Sequence, residues 1–207
     1  MKLSLPSPAF TFVLGSSSKS RASILDKHGV SFKVVVADID EKAIGDRNLD
    51  KPSELVLRIA NAKMDALISS GKLAEFDPCI VVACDQVAVY KGRIREKPTT
   101  ETEAREYLTS YRAAPVETYG GVAVFNTVTK KRVQTVDIAK QHFTNISDEA
   151  IDALIVAGRI YSCAGGFTIE DPILQPFLGE TEGEDGGWDS IMGLSLTVVQ
   201  RLIDQTL

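Results

Sequence analysis

The sequence contains few of the residues that many catalytic and metal-binding sites require. It has three cysteines and two histidines among 207 residues. Cys79 and Cys84 have no second pair after them, so the pattern indicates neither a zinc site nor a disulfide framework, and we expect reduced, mostly buried thiols. Because His28 and His142 are the only histidines, a serine or cysteine nucleophile activated by histidine is disfavoured.

Long apolar runs and an excess of positive charge are also absent. No stretch approaches the roughly eighteen apolar residues of a membrane span, and Pro6 and Pro8 interrupt the N-terminal segment. We therefore expect no membrane association and a cytoplasmic protein. The net charge of -5 disfavours a nucleic-acid polymer as partner, since a duplex needs a basic face. A single nucleotide needs only a local cluster of cations.

The length and the 44% hydrophobic content predict one domain over residues 1–207, or two closely packed lobes. A chain of this size buries about 70% of its unfolded surface. Strand and helix patterns alternate in the first half, which is typical of α/β proteins. The predicted helices lie at residues 18–28, 50–70, 100–111, 147–157 and 195–205. The predicted strands lie at 11–14, 32–37, 79–84, 87–90, 93–95 and 161–167, with a long hairpin over 116–143.

The segment from Leu14 to Arg21 joins the first strand to the first helix through one glycine and a run of serines. Its hydroxyl groups, its free helix amides and the Arg21 guanidinium could together hold a phosphate. Ser16 and Ser18 are the candidate hydroxyl donors. An ordinary surface helix capped by serine explains the same segment equally well.

Lys63 lies within the apolar stripe of the long second helix. It follows Ile59 and precedes Leu67 by four residues each, so its side chain should project toward the protein interior. A buried lysine needs an anionic partner. The alternative is a lysine whose stem packs while its ammonium group reaches water.

Further polar groups follow apolar strands. Asp85 and Gln86 come directly after the buried strand Cys79–Cys84, where ligands of α/β proteins gather. A short hairpin then brings Glu96 and Lys97 toward the same region. The acidic, glycine-rich segment 179–189 is predicted to be a mobile solvated loop, because it lacks the ligand spacing of a calcium loop, although metal binding is an alternative.

These segments predict one cleft that contains both cations and carboxylates. Cations suit the oxygens of a triphosphate, and carboxylates suit a divalent metal that bridges those oxygens. Walker, Rossmann, Gly-x-Ser-x-Gly and His-Glu-x-x-His motifs are absent from the sequence. The chemistry indicated is hydrolysis of a phosphoanhydride by an activated water. Cys84, inside an apolar run, should be an inert thiol.

In the order and spacing of these motifs, the chain resembles the Maf (septum formation) nucleoside triphosphate pyrophosphatases. The matching segments cover essentially the whole chain: Leu14 to Arg21, Asp38 to Glu41, Ala60 to Asp65, Ala83 to Val87, and Glu96 to Pro98. The resemblance implies an elongated α/β fold with a twisted mixed sheet, flanking helices and two lobes around a central cleft. It also implies cleavage of a nucleoside triphosphate to the monophosphate and pyrophosphate, and a possible homodimer.

The resemblance also implies roles for individual residues. Asp85 corresponds to the proposed base and Glu41 to the metal-linked glutamate, with Mg²⁺ or Mn²⁺ as the expected cation held by Glu41 and Asp85. Lys63 would act with them in catalysis. The expected phosphate and substrate contacts are Ser16, Ser18, Arg21, Lys63 and Lys97, with Gln86 and Glu96 lining the same cleft.

One branch of the family is the most similar, namely the 7-methyl-GTP pyrophosphatases. That branch carries Asp-Gln after the strand, as at Asp85-Gln86, and a motif similar to Cys163-Ala-Gly-Gly-Phe167. The alternatives are a dTTP/UTP pyrophosphatase of the same family and a nucleotide-sensing cell-division regulator with little catalysis. The regulator is suggested by Ser20, which replaces a family arginine. Lys19 replaces the family proline and is a candidate for compensating that lost charge.

Overall fold

Seven strands form one open, mixed sheet in the computed structural model, which describes residues 3–207. They are β1 (Thr11–Leu14), β2 (Phe32–Val34), β3 (Cys79–Tyr90), β4 (Arg93–Arg95), β5 (Val116–Asn126), β6 (Arg132–Phe143) and β7 (Leu178–Glu182). The order across the sheet is β2, β1, β3, β5, β6, β7, and β4 pairs with one end of β3. β1 is parallel to both neighbours, whereas β3, β5, β6 and β7 pair antiparallel. The predicted α/β class with a mixed sheet is confirmed.

Six α-helices accompany the sheet. They are α1 (Lys19–Lys27), α2 (Pro52–Ser69), α3 (Glu101–Ser110), α4 (Asp148–Ala157), α5 (Trp188–Met192) and α6 (Leu196–Gln205). Five of them were expected, and their ends lie within two residues of the predicted bounds. Their N-caps explain this agreement, since the side chains of Ser18, Thr100, Ser147 and Ser195 each accept a hydrogen bond from an amide of the first turn.

The alternation of side chains along β3 separates two cores. Val81, Ala83 and Val87 face α2, whereas Val82 and Cys84 face the larger core that α1, α3, α4, α5 and α6 share. Asp85 therefore lies on the α2 face of the sheet. Gln86, the next residue, lies on the opposite face.

Helix α2 packs unusually close to the sheet at Gly121 of β5. A Cβ atom at Gly121 would lie 2.3 Å from the carbonyl oxygen of Val56 in α2. Only glycine permits this backbone approach. The neighbouring Gly120 has no such constraint, because a Cβ there would meet nothing nearer than 3.6 Å. The position of α2 over the sheet thus depends on one side-chain-free residue.

Several sequence-based boundaries were wrong. The strand predicted at 79–84 continues to Tyr90, because the residues after Asp85 go on pairing with β5, so Asp85 and Gln86 lie within a strand and not at its end. Residues 161–167 form short 3₁₀ turns around Gly165, not a strand. The segment 179–189, predicted as a mobile loop, contributes the edge strand β7 and the start of α5.

Two further features are the state of the cysteines and the character of the helices. The three cysteines are free, and Cys79 and Cys84 are buried, as predicted, whereas Cys163 is half-buried. Among residues 3–207, no helix is long and apolar enough to cross a membrane.

Candidate active site

The candidate site lies where β3 has no strand neighbour on one side. β1 pairs with β3 as far as Val82, and β4 begins to pair at Ala88. Between them, the edge of β3 is open, and the carbonyl of Cys84 points into the opening. This carbonyl accepts hydrogen bonds from Nη1 of Arg21, at 3.2 Å, and from Nζ of Lys63, at 3.1 Å. Two cations from helices on opposite faces of the sheet thus meet at one backbone oxygen.

Lys63 is buried and is held by two carboxylates. Its Nζ lies 2.9 Å from Oε2 of Glu41 and 3.1 Å from Oδ1 of Asp85. The prediction that this lysine faces the interior and meets anions is confirmed, and its ammonium group does not reach water as the alternative required. Glu41, in a 3₁₀ turn after β2, is the exposed member of the group, with 47% of its side chain accessible.

Asp85 combines burial with two nearby cations. Burial raises the pKa of its carboxyl group, while Lys63 and, more weakly, Arg21 oppose that rise. Glu41 adds a small further rise in the pKa through like-charge repulsion. A carboxyl group in this setting is suited to exchange a proton with a nearby water.

Arg21 is also buried, but its partners are neutral. Besides the Cys84 carbonyl, its Nη1 donates to Oγ of Ser16 at 2.9 Å, and its Nε donates to the carbonyl of Gly193 at 2.9 Å. Among residues 3–207 it forms no ion pair. Ser18 caps α1 through a hydrogen bond from the Arg21 amide, at 3.4 Å, so the serine-cap interpretation of this segment is correct for Ser18. Ser16 and Arg21 face the cleft, and that interpretation does not explain them.

Helix α5 forms the wall beside Arg21. Gln86 donates from Nε2 to the carbonyl of Ser190, at 2.8 Å, and Arg21 donates to the carbonyl of Gly193. Both acceptors lie at the C-terminal end of α5, where the Ser190 carbonyl also accepts a hydrogen bond from the Gly193 amide. Nε2 of His28 lies 2.9 Å from Asp189, which ties α1 to α5 a second time. This wall was missed from the sequence, although the apolar pair Ile191-Met192 after Trp188 was a signal for it.

Arg47 was also missed and links two of the predicted site segments. Its Nη2 donates to the carbonyl of Glu41 at 2.9 Å, and its Nη1 donates to the carbonyl of Ile44 at 2.6 Å. Its Nε lies 3.3 Å from Oε1 of Glu96. Arg47 therefore fixes the turn that carries Glu41 and connects it to the loop after β4.

The loop after β4 is anchored by the turn at Gly165. The Gly165 amide donates to the carbonyl of Glu96 at 3.1 Å, and the Tyr111 hydroxyl donates to the Gly165 carbonyl at 2.7 Å. Gly165 has φ +70, and a Cβ there would lie 2.7 Å from Cβ of Ala88. The backbone at Gly165 therefore lies close to β3. Lys97 is exposed and forms no ion pair or hydrogen bond among residues 3–207, so the structure does not join it to the cluster.

The donor set fits a small divalent cation. The carboxylates of Glu41 and Asp85 converge on one ammonium nitrogen, so their oxygens are already arranged around a positive centre. No group of three or more potential metal-ligating side chains occurs within residues 3–207. Mg²⁺ commonly binds in this way, through one or two carboxylates plus water and phosphate oxygens. The acidic segment 179–189 likewise contains no such group in the described chain.

The sequence is similar to that of several known proteins. The sequence profile of the Maf family, described as "Maf-like protein", matches residues 11–206. A 7-methyl-GTP pyrophosphatase of Dictyostelium discoideum is 45% identical over 93% of this chain and 95% of that protein. A 7-methyl-GTP pyrophosphatase of Idiomarina loihiensis is 35% identical over 81% of each chain. A nucleoside triphosphate pyrophosphatase of Salinispora tropica is 29% identical over 92% of this chain and 81% of that protein.

The family profile and the alignments with these relatives each cover most of the sequence. Enzymes of this family generally depend on a metal. The profile begins at Thr11, at the start of β1, and ends at Thr206, directly after α6, so it includes every segment of the site described above. The chain belongs to the Maf family.

Proposed function

We propose that the protein is a nucleoside triphosphate pyrophosphatase whose substrate is 7-methyl-GTP. Water attacks the α-phosphorus, the bond from that phosphorus to the bridging oxygen breaks, and the products are the nucleoside monophosphate and pyrophosphate. The meeting of Arg21 and Lys63 at the Cys84 carbonyl, beside Asp85, carries this proposal. The names of two similar relatives and the Asp85-Gln86 pair support 7-methyl-GTP as the substrate.

The cations bind and stabilise phosphate. Arg21 offers a positive charge that forms no ion pair among residues 3–207, and Ser16 adds a hydroxyl group beside it. Lys63 stabilises the charge that develops on the transferred group. We assign Lys97 to the outer phosphates or the nucleoside, because it is exposed and forms no ion pair or hydrogen bond among residues 3–207.

The carboxylates handle water and proton transfer. Asp85 orients the attacking water and accepts its proton, for which a raised pKa is suited. Glu41 and Asp85 would hold Mg²⁺ or Mn²⁺, and when bound the cation neutralises charge on the leaving pyrophosphate. Gln86 and Ser18 maintain the wall and the helix start on the Arg21 side, and Glu96 lines the opening opposite Glu41.

The proposal extends to the molecule as a whole. Residues 1–207 act as one domain in which two lobes share the cleft, in a cytoplasmic homodimer. Support for these points comes from the resemblance to the family and from the sequence composition. Sedimentation equilibrium at micromolar concentration tests the dimer, and a mass equal to one chain contradicts it.

The activity is tested with purified protein, Mg²⁺ or Mn²⁺, and a panel of 7-methyl-GTP, GTP, dTTP and UTP. We expect pyrophosphate and no orthophosphate, with the highest kcat/KM for 7-methyl-GTP. Asp85→Asn should abolish turnover while nucleotide binding persists. Tight nucleotide binding without turnover under every metal would identify a regulatory binder, and a preference for dTTP or UTP would contradict the substrate assignment.

A further inference from the structure

We propose that Lys63 excludes free divalent cations from Glu41 and Asp85, so that the metal enters the site only as its complex with the nucleotide. The inference rests on the proposed function and adds an order of binding to it. Lys63 then has two successive sets of partners, namely carboxylates before the substrate arrives and phosphate oxygens afterwards.

The first support is positional. The Lys63 ammonium nitrogen lies 2.9 Å from a Glu41 oxygen and 3.1 Å from an Asp85 oxygen. A cation that both carboxylates contact must approach the same space. The ammonium group cannot stay there beside a divalent ion, because two positive centres in contact with the same carboxylates repel strongly in a buried site.

The second support is the charge balance of the cluster. Glu41 and Asp85 carry two formal negative charges, and Lys63 and Arg21 carry two positive ones. The side chains of Lys63 and Asp85 are only 8% and 12% exposed, so water screens them poorly. A free divalent ion would leave this cluster with an excess of two positive charges. A metal triphosphate complex brings an excess of negative charge, which the same cluster can accept.

The third support is that the Lys63 ammonium group can turn from the carboxylates toward bound phosphate. A lysine side chain is flexible and ends in a compact ammonium group with three donors. Its third partner, the Cys84 carbonyl at 3.1 Å, is shared with Arg21. Phosphate bound at Arg21 therefore places anionic oxygens beside the ammonium group, which can keep its bond to Cys84 while it leaves the carboxylates.

The test measures Mn²⁺ binding without nucleotide, by electron paramagnetic resonance of the free ion. We expect wild-type protein to bind Mn²⁺ at least ten-fold more weakly than Lys63→Met. Lys72→Met removes an exposed lysine and serves as the matched control, with unchanged affinity. Adding Glu41→Gln to Lys63→Met should remove the gained binding, which would locate the ion at this pair.

A second measurement uses only the wild-type protein, so it does not depend on the folding of a variant. A non-hydrolysable nucleoside triphosphate should increase Mn²⁺ retention at least ten-fold beyond its retention by protein and by analogue measured separately. Equal Mn²⁺ affinity of wild type and Lys63→Met, or tight binding by wild type without nucleotide, overturns the exclusion. Absence of pyrophosphate release with the affinity difference intact contradicts the proposed activity alone.

Discussion

The two buried cations of the site share one acceptor and differ in everything else around it. Lys63 approaches the Cys84 carbonyl from the α2 face and is neutralised by Glu41 and Asp85. Arg21 approaches from the α1 face and donates hydrogen bonds to uncharged oxygens of Ser16, Cys84 and Gly193. Proteins bury a charge at high cost unless it is paired. Arg21 forms no ion pair among residues 3–207, which supports the proposal that it binds an anion, whereas the charge of Lys63 is already balanced.

In the proposed mechanism, this difference separates the binding of phosphate from catalysis. Three neutral acceptors fix the plane of the Arg21 guanidinium, so we expect it to bind phosphate without rearrangement. In the proposed order of binding, Lys63 leaves its carboxylates first. The sheet contributes to the separation, because neighbouring residues of β3 point to opposite faces and Asp85 therefore lies on the α2 face.

Removing the unpaired cation should produce the largest loss. Arg21→Met should lower kcat/KM for the nucleotide about 10³-fold, since a charged phosphate contact in a desolvated site is lost. Arg21→Lys should recover only part of it, because an ammonium group cannot reproduce the fork that bonds Ser16, Cys84 and Gly193. Steady-state pyrophosphate release measures the effect. Lys27→Met, an exposed cation on the same helix, is the control, and an equal loss there would contradict the special role of Arg21.

A displacement of Lys63 that leaves its charge in place should cause the next largest loss of activity. Gly121→Ala pushes α2 away from β5 and should destabilise the protein by about 1–3 kcal/mol, a typical cost of overpacking. Because Lys63 moves with α2 while Arg21 stays on α1, activity should fall about a hundred-fold, a loss typical of about 1 Å of misplacement. Thermal unfolding and turnover are measured together.

Gly120→Ala is the matched control for this experiment, since a Cβ there meets only ordinary contacts. Equal effects of the two alanines would show that the close approach of α2 does not position Lys63.

Loosening one carboxylate partner of Lys63 should have a smaller effect. Arg47→Met releases the turn that carries Glu41, and we expect KM for the metal nucleotide to rise about ten-fold, or 1.4 kcal/mol, with little change in kcat. Arg58→Met is the control, because Arg58 pairs with Asp50 beside that turn and has no bond to Glu41 or Glu96. A fall in kcat with constant KM would instead place Arg47 in the chemical step.

The smallest effect to be measured is on the titration of Asp85. Both cations lower the pKa of its carboxyl group against the rise caused by burial, and Lys63 does so more strongly. Lys63→Met should therefore raise the pKa of Asp85 more than Arg21→Met does. Carbon NMR of the carboxyl group in metal-free protein, assigned with Asp85→Asn, measures both values. A larger rise in the pKa of Asp85 in Arg21→Met than in Lys63→Met would contradict the stronger influence of Lys63.

Local periodicity allowed part of this site to be predicted from the sequence. Lys63 was placed correctly, because its spacing from Ile59 and Leu67 fixes its face on α2 whatever surrounds the helix. Arg21 and Ser16 followed from the glycine and serines at the start of α1. Asp85 was recognised as important but misplaced at a strand end, since nothing local shows that its strand continues beside β5.

The missed elements depend on contacts between distant segments. Arg47 lies in an irregular turn and pairs with Glu96, 49 residues later, so no repeat in its own neighbourhood indicates it. Helix α5 is five residues long, too short to show a helical period. It is held by Gln86, Arg21 and His28, each of which lies more than 100 residues before its partner in or next to α5.

The open edge of β3 has a consequence for solubility. An unpaired stretch of strand is a template to which another chain can add, and such stretches promote aggregation. Here the Cys84 carbonyl, in the middle of the stretch, is covered by two charged donors that an incoming amide would have to displace. The two cations that we propose bind phosphate would therefore also hinder the addition of another strand to this sheet.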